Sequence, residues 1–408
     1  MEKYDVLIVG SGHGGAQTAI ALSKQGFSGS IGLLDRSRGL PYEKPPLSKD
    51  YLSGAKAFER ILIRPEKFWQ DRNIDLLGGA NVESLDPLTK VISCSGGKEY
   101  GYDYLVWSAG GDPRRLSCGG SDLRGVHTLR CKEDVDALQI GLKSGPARCT
   151  IIGGGYIGLE AAAVFRKLGH DVVLIEALDR VLSRVTGPEI SRFVESEHTN
   201  KGAELRLGSA VNYIAGDGGN VTGVALESGE VIPTDLVLVG IGINPCIGVL
   251  AEAGAQTNNG VMINEFCQTT LADIYAIGDC AAHISPFAGG QRIRLESVQN
   301  ANDMANVAVS AICGNFEPYH ATPWFWSDQY DLKIQTVGLS AGYDDSVTRG
   351  DPTNRSFSVV YLKNGKVVAL DCVNSMKDYV QGRKLVETGL LAAREDLADT
   401  SRQLKELL

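Results

Sequence analysis

No two cysteines of this chain stand close together. The nine are scattered singly, at positions 94, 118, 131, 149, 246, 267, 280, 313 and 372, without a C-x-x-C. An odd, dispersed set reads as reduced thiols of a cytosolic protein rather than a disulfide framework. It also argues against a dithiol relay, which needs two neighbouring sulfurs. The six histidines, at 13, 127, 170, 198, 283 and 320, form no H-E-x-x-H and no paired Cys/His spacing, so no metal is expected. Positive charge is in deficit: 40 Lys and Arg face 49 Asp and Glu, a net charge of -9. That balance speaks against nucleic acid or an anionic membrane as the main partner, while leaving room for a local basic patch. No apolar run reaches the roughly 18 residues of a membrane span. Charged Glu2, Lys3 and Asp5 open the chain and an apolar strand follows at once, so no signal peptide is expected. Low-complexity linkers are missing too, which predicts domains packed tightly rather than tethered.

Glycine is plentiful, at 49 of 408 residues, and the length predicts two or three domains. Two stretches read alike. "YDVLIVGSGHGGAQTAIALSKQGF" is strand, glycine turn and helix, followed by the strand "SIGLLD" ending in Asp35. "RCTIIGGGYIGLEAAAVFRKLGH" repeats the pattern, followed by "DVVLIE" ending in Glu176. The copies lie far apart, so this is a duplicated nucleotide-binding unit and not a solenoid. "YDYLVWSAG" (102–110), "TDLVLVGIGINP" (234–245) and "TTLADIYAIGDCA" (269–281) read as further strands ending in small residues. From about 318 the pattern alternates with Asn-Gly and Gly turns, predicting antiparallel strands, and a charged helical tail closes the chain over about 376–408.

Each loop fits G-x-G-x-x-G: Gly10, Gly12 and Gly15 in the first, Gly153, Gly155 and Gly158 in the second. One glycine makes the tight turn, the next lets a pyrophosphate approach, and the last lets the helix pack on the strand. The helix N-terminus then offers free N–H groups and a positive dipole end to phosphates. Asp35 and Glu176 fall where an acid can accept from ribose hydroxyls. An acid there repels a 2′-phosphate, which favours NADH over NADPH; nearby Arg180 works against that preference. Two dinucleotides on one chain imply a flavin and a nicotinamide, with hydride passing between them.

"TTLADIYAIGD" contains T-x-x-x-x-Y-A-x-G-D, formed by Thr270, Tyr275, Ala276, Gly278 and Asp279. It resembles the segment of two-dinucleotide flavoproteins that sets an Asp on the flavin's ribityl chain. "LPYEKPPLSK" (40–49), "RLESVQNA" (294–301) and "PWFWSDQY" (323–330), together with "GGGYIGLE", resemble the NADH-dependent ferredoxin reductases of bacterial oxygenase systems. Those flavoproteins serve aromatic-ring dioxygenases and cytochromes P450, and the resemblance runs along essentially the whole chain. It implies an α/β fold with two Rossmann-like dinucleotide-binding domains, glutathione-reductase-like, plus a C-terminal α+β domain. The expected boundaries are 1–110 with 238–317 for FAD, 111–237 for NADH, and 318–408 for the third domain.

Carried onto this sequence, the resemblance implies an FAD site of Gly10, Gly12, His13, Gly14, Gly15, Asp35, Lys44, Pro45, Lys49, Val82, Ala109, Gly110, Arg130, Asp279, Glu296, Ser297, Val298 and Trp326. His13 reads as a tolerated variable position, and Trp324 and Trp326 could equally be core residues of the third domain. The implied NADH site is Gly153, Gly155, Tyr156, Ile157, Gly158, Glu160, Glu176, Arg184, Gly240, Ile241 and Gly242. Lys49 and Glu160 are the implied catalytic pair: a Lys beside the flavin N5, tied to the Glu of "GLE" and joining the two cofactor domains. Read from spacing alone, they are a solvated Lys and a routine helical Glu. Ser48 is expected to cap a short helix starting there. Two positions depart from the family pattern. Lys44 stands where an Arg is usual, losing the bidentate fork, and "WSAG" at 107–110 stands for A-T-G.

Residues 40–49 hold no cysteine, so neither a dithiol nor a sulfenic acid cycle is expected, and the flavin itself has to pass electrons on. The expected acceptor is a [2Fe–2S] ferredoxin, docked briefly, with Lys44, Arg64, Lys67 and Arg294 as a possible basic rim. Two other readings stay open: a monodehydroascorbate- or quinone-type reductase, and a redox-responsive binding protein of the apoptosis-inducing-factor kind. The acidic balance and compact length disfavour the second. Monomer and homodimer are both compatible with the sequence.

Overall fold

The computed structural model describes residues 1–143 and 145–408, which form two compact units. The first comprises 1–44, 58–112 and 244–321. Its sheet runs Ile74–Gly78, Ile31–Asp35, Glu2–Val9 and Lys98–Trp107 in parallel, with Ile274–Ala276 also parallel to the last of these. Val91–Cys94 and Val82–Asp86 extend it as an antiparallel pair. Strands buried on both faces need continuous apolar runs, and Val6, Leu7, Ile8, Leu33, Leu34, Leu105 and Val106 supply them, each no more than 1% exposed. Helices His13–Lys24 and Val298–Ile312 pack on each other, and Ala16, Ala19, Ala305 and Ala308 are buried in the core they share.

The second unit comprises 45–57, 113–243 and 322–408. It repeats the parallel arrangement in the order Ala203–Arg206, Asp171–Ile175, Arg148–Ile152, Leu236–Val239, Val126–Thr128. A three-stranded antiparallel sheet, Val211–Asp217, Asn220–Leu226 and Val231–Pro233, lies beside it in sequence. Five antiparallel strands then follow in the order Trp324–Gln329, Leu332–Gly338, Lys366–Val373, Ser356–Lys363, Asp345–Asp351. Asn364 and Gly365 link two of them at φ 52° and 73°, the left-handed pair that matches strand twist in a two-residue hairpin.

The expected boundaries shift for identifiable reasons. Position 238 falls inside the Leu236–Val239 strand, which pairs on both sides within the second sheet, so the chain leaves that unit only after Ile243. Residues 45–57 do not stay with the first 110. Tyr51 Oη donates to Asp136 Oδ1 at 2.6 Å and Gln139 Nε2 donates to Tyr51 O at 2.5 Å, tying the segment to the helix Lys132–Leu142. Residues 322–408 group with the second unit because Tyr361 Oη accepts from Gly187 N at 2.9 Å and Arg355 reaches Glu197 at 3.0 Å. Among the described residues, no helix is long and apolar enough to cross a membrane.

Candidate active site

In the first unit, Gly10 sits at φ +99°, and a Cβ there would lie 2.4 Å from Ser108 O. A Cβ on Gly15 would meet Gly10 O at 1.8 Å, so the helix approaches the strand at backbone contact. Gly12 is different: nothing lies within 4 Å of a Cβ built there. It is the N-cap of His13–Lys24, and no side chain caps that end. Orphan N–H groups therefore sit beside open space with the positive dipole end behind them, as a pyrophosphate requires. His13 is the first residue of that helix, and Gly14 packs on Ile277.

The second unit reproduces this geometry. Gly153 has φ +113° with a Cβ 2.4 Å from Gly240 O, and a Cβ on Gly158 would be 2.1 Å from Gly153 O. Gly155 again has nothing within 4 Å and is an uncapped N-cap. Positions 108 and 240 correspond. In the first unit Ser108 adds a hydroxyl that lies 2.7 Å from Gly10 O and 2.9 Å from Val9 O. The departure from A-T-G thus keeps a small hydroxyl residue that holds the turn. Ala109 and Gly110, like Ile241 and Gly242, continue from these contacts along the carboxyl ends of the strands.

Both acids clamp their loops. Asp35 Oδ2 accepts from Ser11 N at 2.7 Å, and Glu176 Oε2 accepts from Gly154 N at 2.7 Å. The other oxygens accept from Ser37 N at 2.8 Å and Leu178 N at 2.9 Å. Burial pushes the Asp35 carboxyl up, but the bonds from Ser37 and Ser11 outweigh it and hold it below the ordinary carboxylate range. Each acid thus fixes the second residue of its loop by a charge-assisted bond, a role beyond the ribose contact expected for it. Arg180 is not available to read a phosphate. Its guanidinium donates to Thr186 O at 2.9 Å, Ser191 Oγ at 2.7 Å and Ser183 O at 3.1 Å. Arg184 and Ile157 are exposed, and the Tyr156 ring rests on Phe325 at 4.5 Å.

Near the first loop's helix, Ser297 N-caps Val298–Ile312, accepting from Asn300 N at 3.0 Å. Arg294 donates to Asp279 O at 2.9 Å and to Glu296 Oε1 at 2.6 Å. Its side chain is only 9% exposed, so it is a neutralised internal strut and not part of a basic rim. Its Nε is buried without a partner, a spare donor next to Asp279. Val82 begins the antiparallel pair, just after Gly79 and Ala80 donate to Asp35 O. The Lys44 ammonium lies 4.0 Å over the Tyr42 ring. Arg64 and Lys67 are exposed.

Pro45, Lys49, Arg130 and Trp326 belong to the second unit. Pro45–Ser48 is a short 3-10 helix, so Ser48 ends a helix rather than starting one. Its hydroxyl donates to Glu160 Oε2 at 2.5 Å instead of capping. Lys49 Nζ donates to the same oxygen at 2.7 Å, and Ser327 Oγ donates to Glu160 Oε1 at 2.6 Å. Glu160 is 4% exposed and Lys49 17%. The pair lies within one unit instead of joining two. A buried carboxylate without partners costs on the order of several kcal/mol, and donors from two serines and one ammonium offset that. Trp326 is half-buried, its ring 5.5 Å from that of Trp324. Arg130 N donates to Asp134 Oδ2 at 2.8 Å.

Ser327 and Gln329 were not anticipated from the sequence. The available signal was their two-residue spacing on the Trp324–Gln329 strand, which puts both on the inward face, where a polar side chain needs a partner.

Residues 4–305 match the pyridine nucleotide-disulphide oxidoreductase model and 324–408 the reductase C-terminal model. The chain belongs to the pyridine nucleotide-disulphide oxidoreductase family. This oxidoreductase is 55% identical over 408 residues to the 5,5'-dehydrodivanillate O-demethylase ferredoxin reductase subunit of Sphingobium sp., covering 100% of this chain and 99% of that protein. It is 37% identical over 409 residues to the putidaredoxin reductase of Pseudomonas putida, covering 99% of this chain and 96% of that one. The crystal structure of the ferredoxin reductase for the CYP199A2 system from Rhodopseudomonas palustris superposes with a TM-score of 0.95 at 38% identity, covering 100% and 99% of the two chains. The covalent putidaredoxin reductase–putidaredoxin complex gives 0.95 at 37%, covering 100% and 98%.

The family uses a flavin and a nicotinamide nucleotide, and the two open second glycines, each beside an uncapped helix end, fit two such nucleotides. The nine cysteines stand singly along the sequence, with no neighbouring pair to supply the disulphide of the family's name. Cys280, next to Asp279, is buried, and burial pushes its thiol up to about 12, far from a reactive thiolate.

Proposed function

We infer that the oxidoreductase is an NADH-dependent ferredoxin reductase. FAD belongs at the Gly10–Gly15 loop and NADH at the Gly153–Gly158 loop. A hydride from one NADH delivers two electrons, and two [2Fe–2S] ferredoxins take them one at a time on behalf of a dioxygenase or cytochrome P450. The flavin supplies that two-to-one conversion. The protein's share is to bind both nucleotides, to hold the Lys49 ammonium in place through Glu160, and to keep its thiols out of the electron path. The observation that carries the reading is two open-centred glycine loops in a chain without paired cysteines. The full-length likeness to a ferredoxin reductase subunit of an O-demethylase supports the choice of acceptor.

The test is a titration of the purified protein with NADH under nitrogen, followed by stopped-flow mixing with acceptors. Flavin absorbance should bleach, a long-wavelength charge-transfer band should appear, and a [2Fe–2S] ferredoxin should be reduced faster than quinones or monodehydroascorbate. Equal or slower ferredoxin reduction would favour the small-molecule reductase reading.

The coenzyme preference has its own prediction. Glu176 carries the charge that opposes a 2′-phosphate, whereas Arg180 is spent on Thr186, Ser191 and Ser183. Glu176→Ala should shrink the NADH-over-NADPH ratio of kcat/KM by roughly tenfold or more, because like charges in apposition cost several kcal/mol. Arg180→Met should leave that ratio unchanged while lowering stability. A ratio that follows Arg180 instead would return the preference to that residue.

A further inference from the structure

The Glu160 carboxylate is the end of a chain of buried polar groups whose protons can be assigned one by one. A carboxylate only accepts, so Ser327 Oγ–H, 2.6 Å away, donates to Glu160 Oε1. Having spent its single proton there, Ser327 Oγ can only accept from Gln329, whose Nε2 lies at 3.2 Å. The Gln329 amide oxygen then faces His198 Nε2 at 2.9 Å, and an amide oxygen only accepts, so the imidazole carries a proton on Nε2. Burial lowers the tendency of His198 to take a second proton. The neutral ring thus leaves Nδ1 as an acceptor for Tyr330 Oη at 3.3 Å. Ser327 and Gln329 are fully buried and His198 is 1% exposed, so water does not compete along this route. Every donor in the chain points toward Glu160.

From this one-way chain, we propose that Ser327, oriented by Gln329 and His198, is a positioning residue for the Lys49–Glu160 pair. Without it, Glu160 Oε1 loses a donor in a place that water does not reach, and the carboxylate can swing away from Lys49. Ser48 and Lys49 meet only the other oxygen, Oε2, so neither can substitute. The inference rests on the reading of Lys49 as the cation that serves the flavin, but its geometry belongs wholly to the second unit.

The experiment reads Lys49 directly. The FAD-loaded protein is pulsed with acetic anhydride, and acetylation of Lys49 is followed by mass spectrometry against exposed Lys24. In Ser327→Ala, Lys49 should react about tenfold faster, in line with the loss of one charge-assisted hydrogen bond. Ser327→Thr, which keeps the hydroxyl, should restore the wild-type rate, and Gln329→Leu should give an acceleration of about threefold, since Ser327 keeps its proton but loses its anchor. In parallel, the rate of flavin bleaching by NADH should fall in Ser327→Ala with the dissociation constant for NADH unchanged; a general loss of packing would move both. Unchanged Lys49 labelling in Ser327→Ala overturns the proposal. If that variant does not purify folded, Gln329→Leu without acceleration overturns it equally. Should NADH fail to bleach the wild type, the ferredoxin reductase reading falls while the labelling still decides the role of Ser327.

Discussion

Gly15→Ala should purify as a folded but colourless protein. The alanine Cβ would be 1.8 Å from Gly10 O and 2.6 Å from Ser108 Oγ, and the first of these is backbone that cannot rotate away. The helix His13–Lys24 has to move off the strand, which pulls its N-terminal N–H groups from the position where they meet a pyrophosphate. Overpacking of this kind costs about 3 kcal/mol, enough for a loss of FAD affinity of about 100-fold. Flavin content by absorbance after gel filtration measures it. Gly158→Ala carries the same insult, 2.1 Å from Gly153 O, in the other loop. That variant should stay yellow yet bleach only at NADH concentrations raised about 100-fold. Gly12→Ala separates fold from binding: no protein atom lies within 4 Å of its Cβ, so the fold should tolerate it, while the methyl stands where a pyrophosphate would approach. If Gly15→Ala kept its colour and lost NADH instead, the two nucleotides would have to exchange loops.

Removing the Glu160 carboxylate should have the second large effect. Among the described residues, in Glu160→Ala the Lys49 ammonium keeps only Pro45 O at 3.3 Å among its hydrogen-bond acceptors, and Ser327 keeps no acceptor for its proton. Breaking a buried pair from one side costs about 3 kcal/mol or more, because the other charge stays behind. The denaturation midpoint in urea should fall accordingly. The 45–57 segment should loosen as well, so trypsin should cut after Lys49 faster than in the wild type. Flavin bleaching by NADH should slow about 100-fold, about the equivalent of 2.7 kcal/mol, with NADH affinity little changed. Glu160→Gln keeps an acceptor oxygen but loses the charge and should fall between. A Glu160→Ala protein as stable and as fast as the wild type would leave Lys49 without a functional partner.

The contrast between these sites shows what was legible in the chain. A glycine loop is a contiguous requirement. Gly10 and Gly153 need a backbone at φ +99° and +113°, Gly15 and Gly158 allow no Cβ, and each need is met within one short stretch. The apolar strands before the loops and the acids after them are equally local, so two nucleotide folds and their order could be read directly. The Asn364-Gly365 turn belongs to the same class.

The Glu160 cluster does not. Its partners Ser48, Lys49 and Ser327 lie 112, 111 and 167 positions away, and nothing local to "GLE" asks for them. The family resemblance named Lys49, but not the serines that share the carboxylate with it. Ser48 looked like a cap because it follows two prolines and a leucine; folding made it the last residue of the Pro45–Ser48 helix and placed a buried carboxylate beside it to take its proton. Arg180 and Arg294 read as available charges until folding turned them inward. Arg180 serves the carbonyls of the turn before Pro188–Asn200, and Arg294 serves Asp279 O and Glu296.

By itself the sequence determined two glycine-centred nucleotide units, their acids and a chain without paired thiols, because those depend on backbone conformation and composition over a few neighbouring residues. The tertiary structure alone decided that 45–57 joins the second unit, that Glu160 is held from both oxygens, and which arginines are spent internally. Those outcomes depend on which distant polar groups share a buried space, and a buried charge takes whatever donors folding brings within reach.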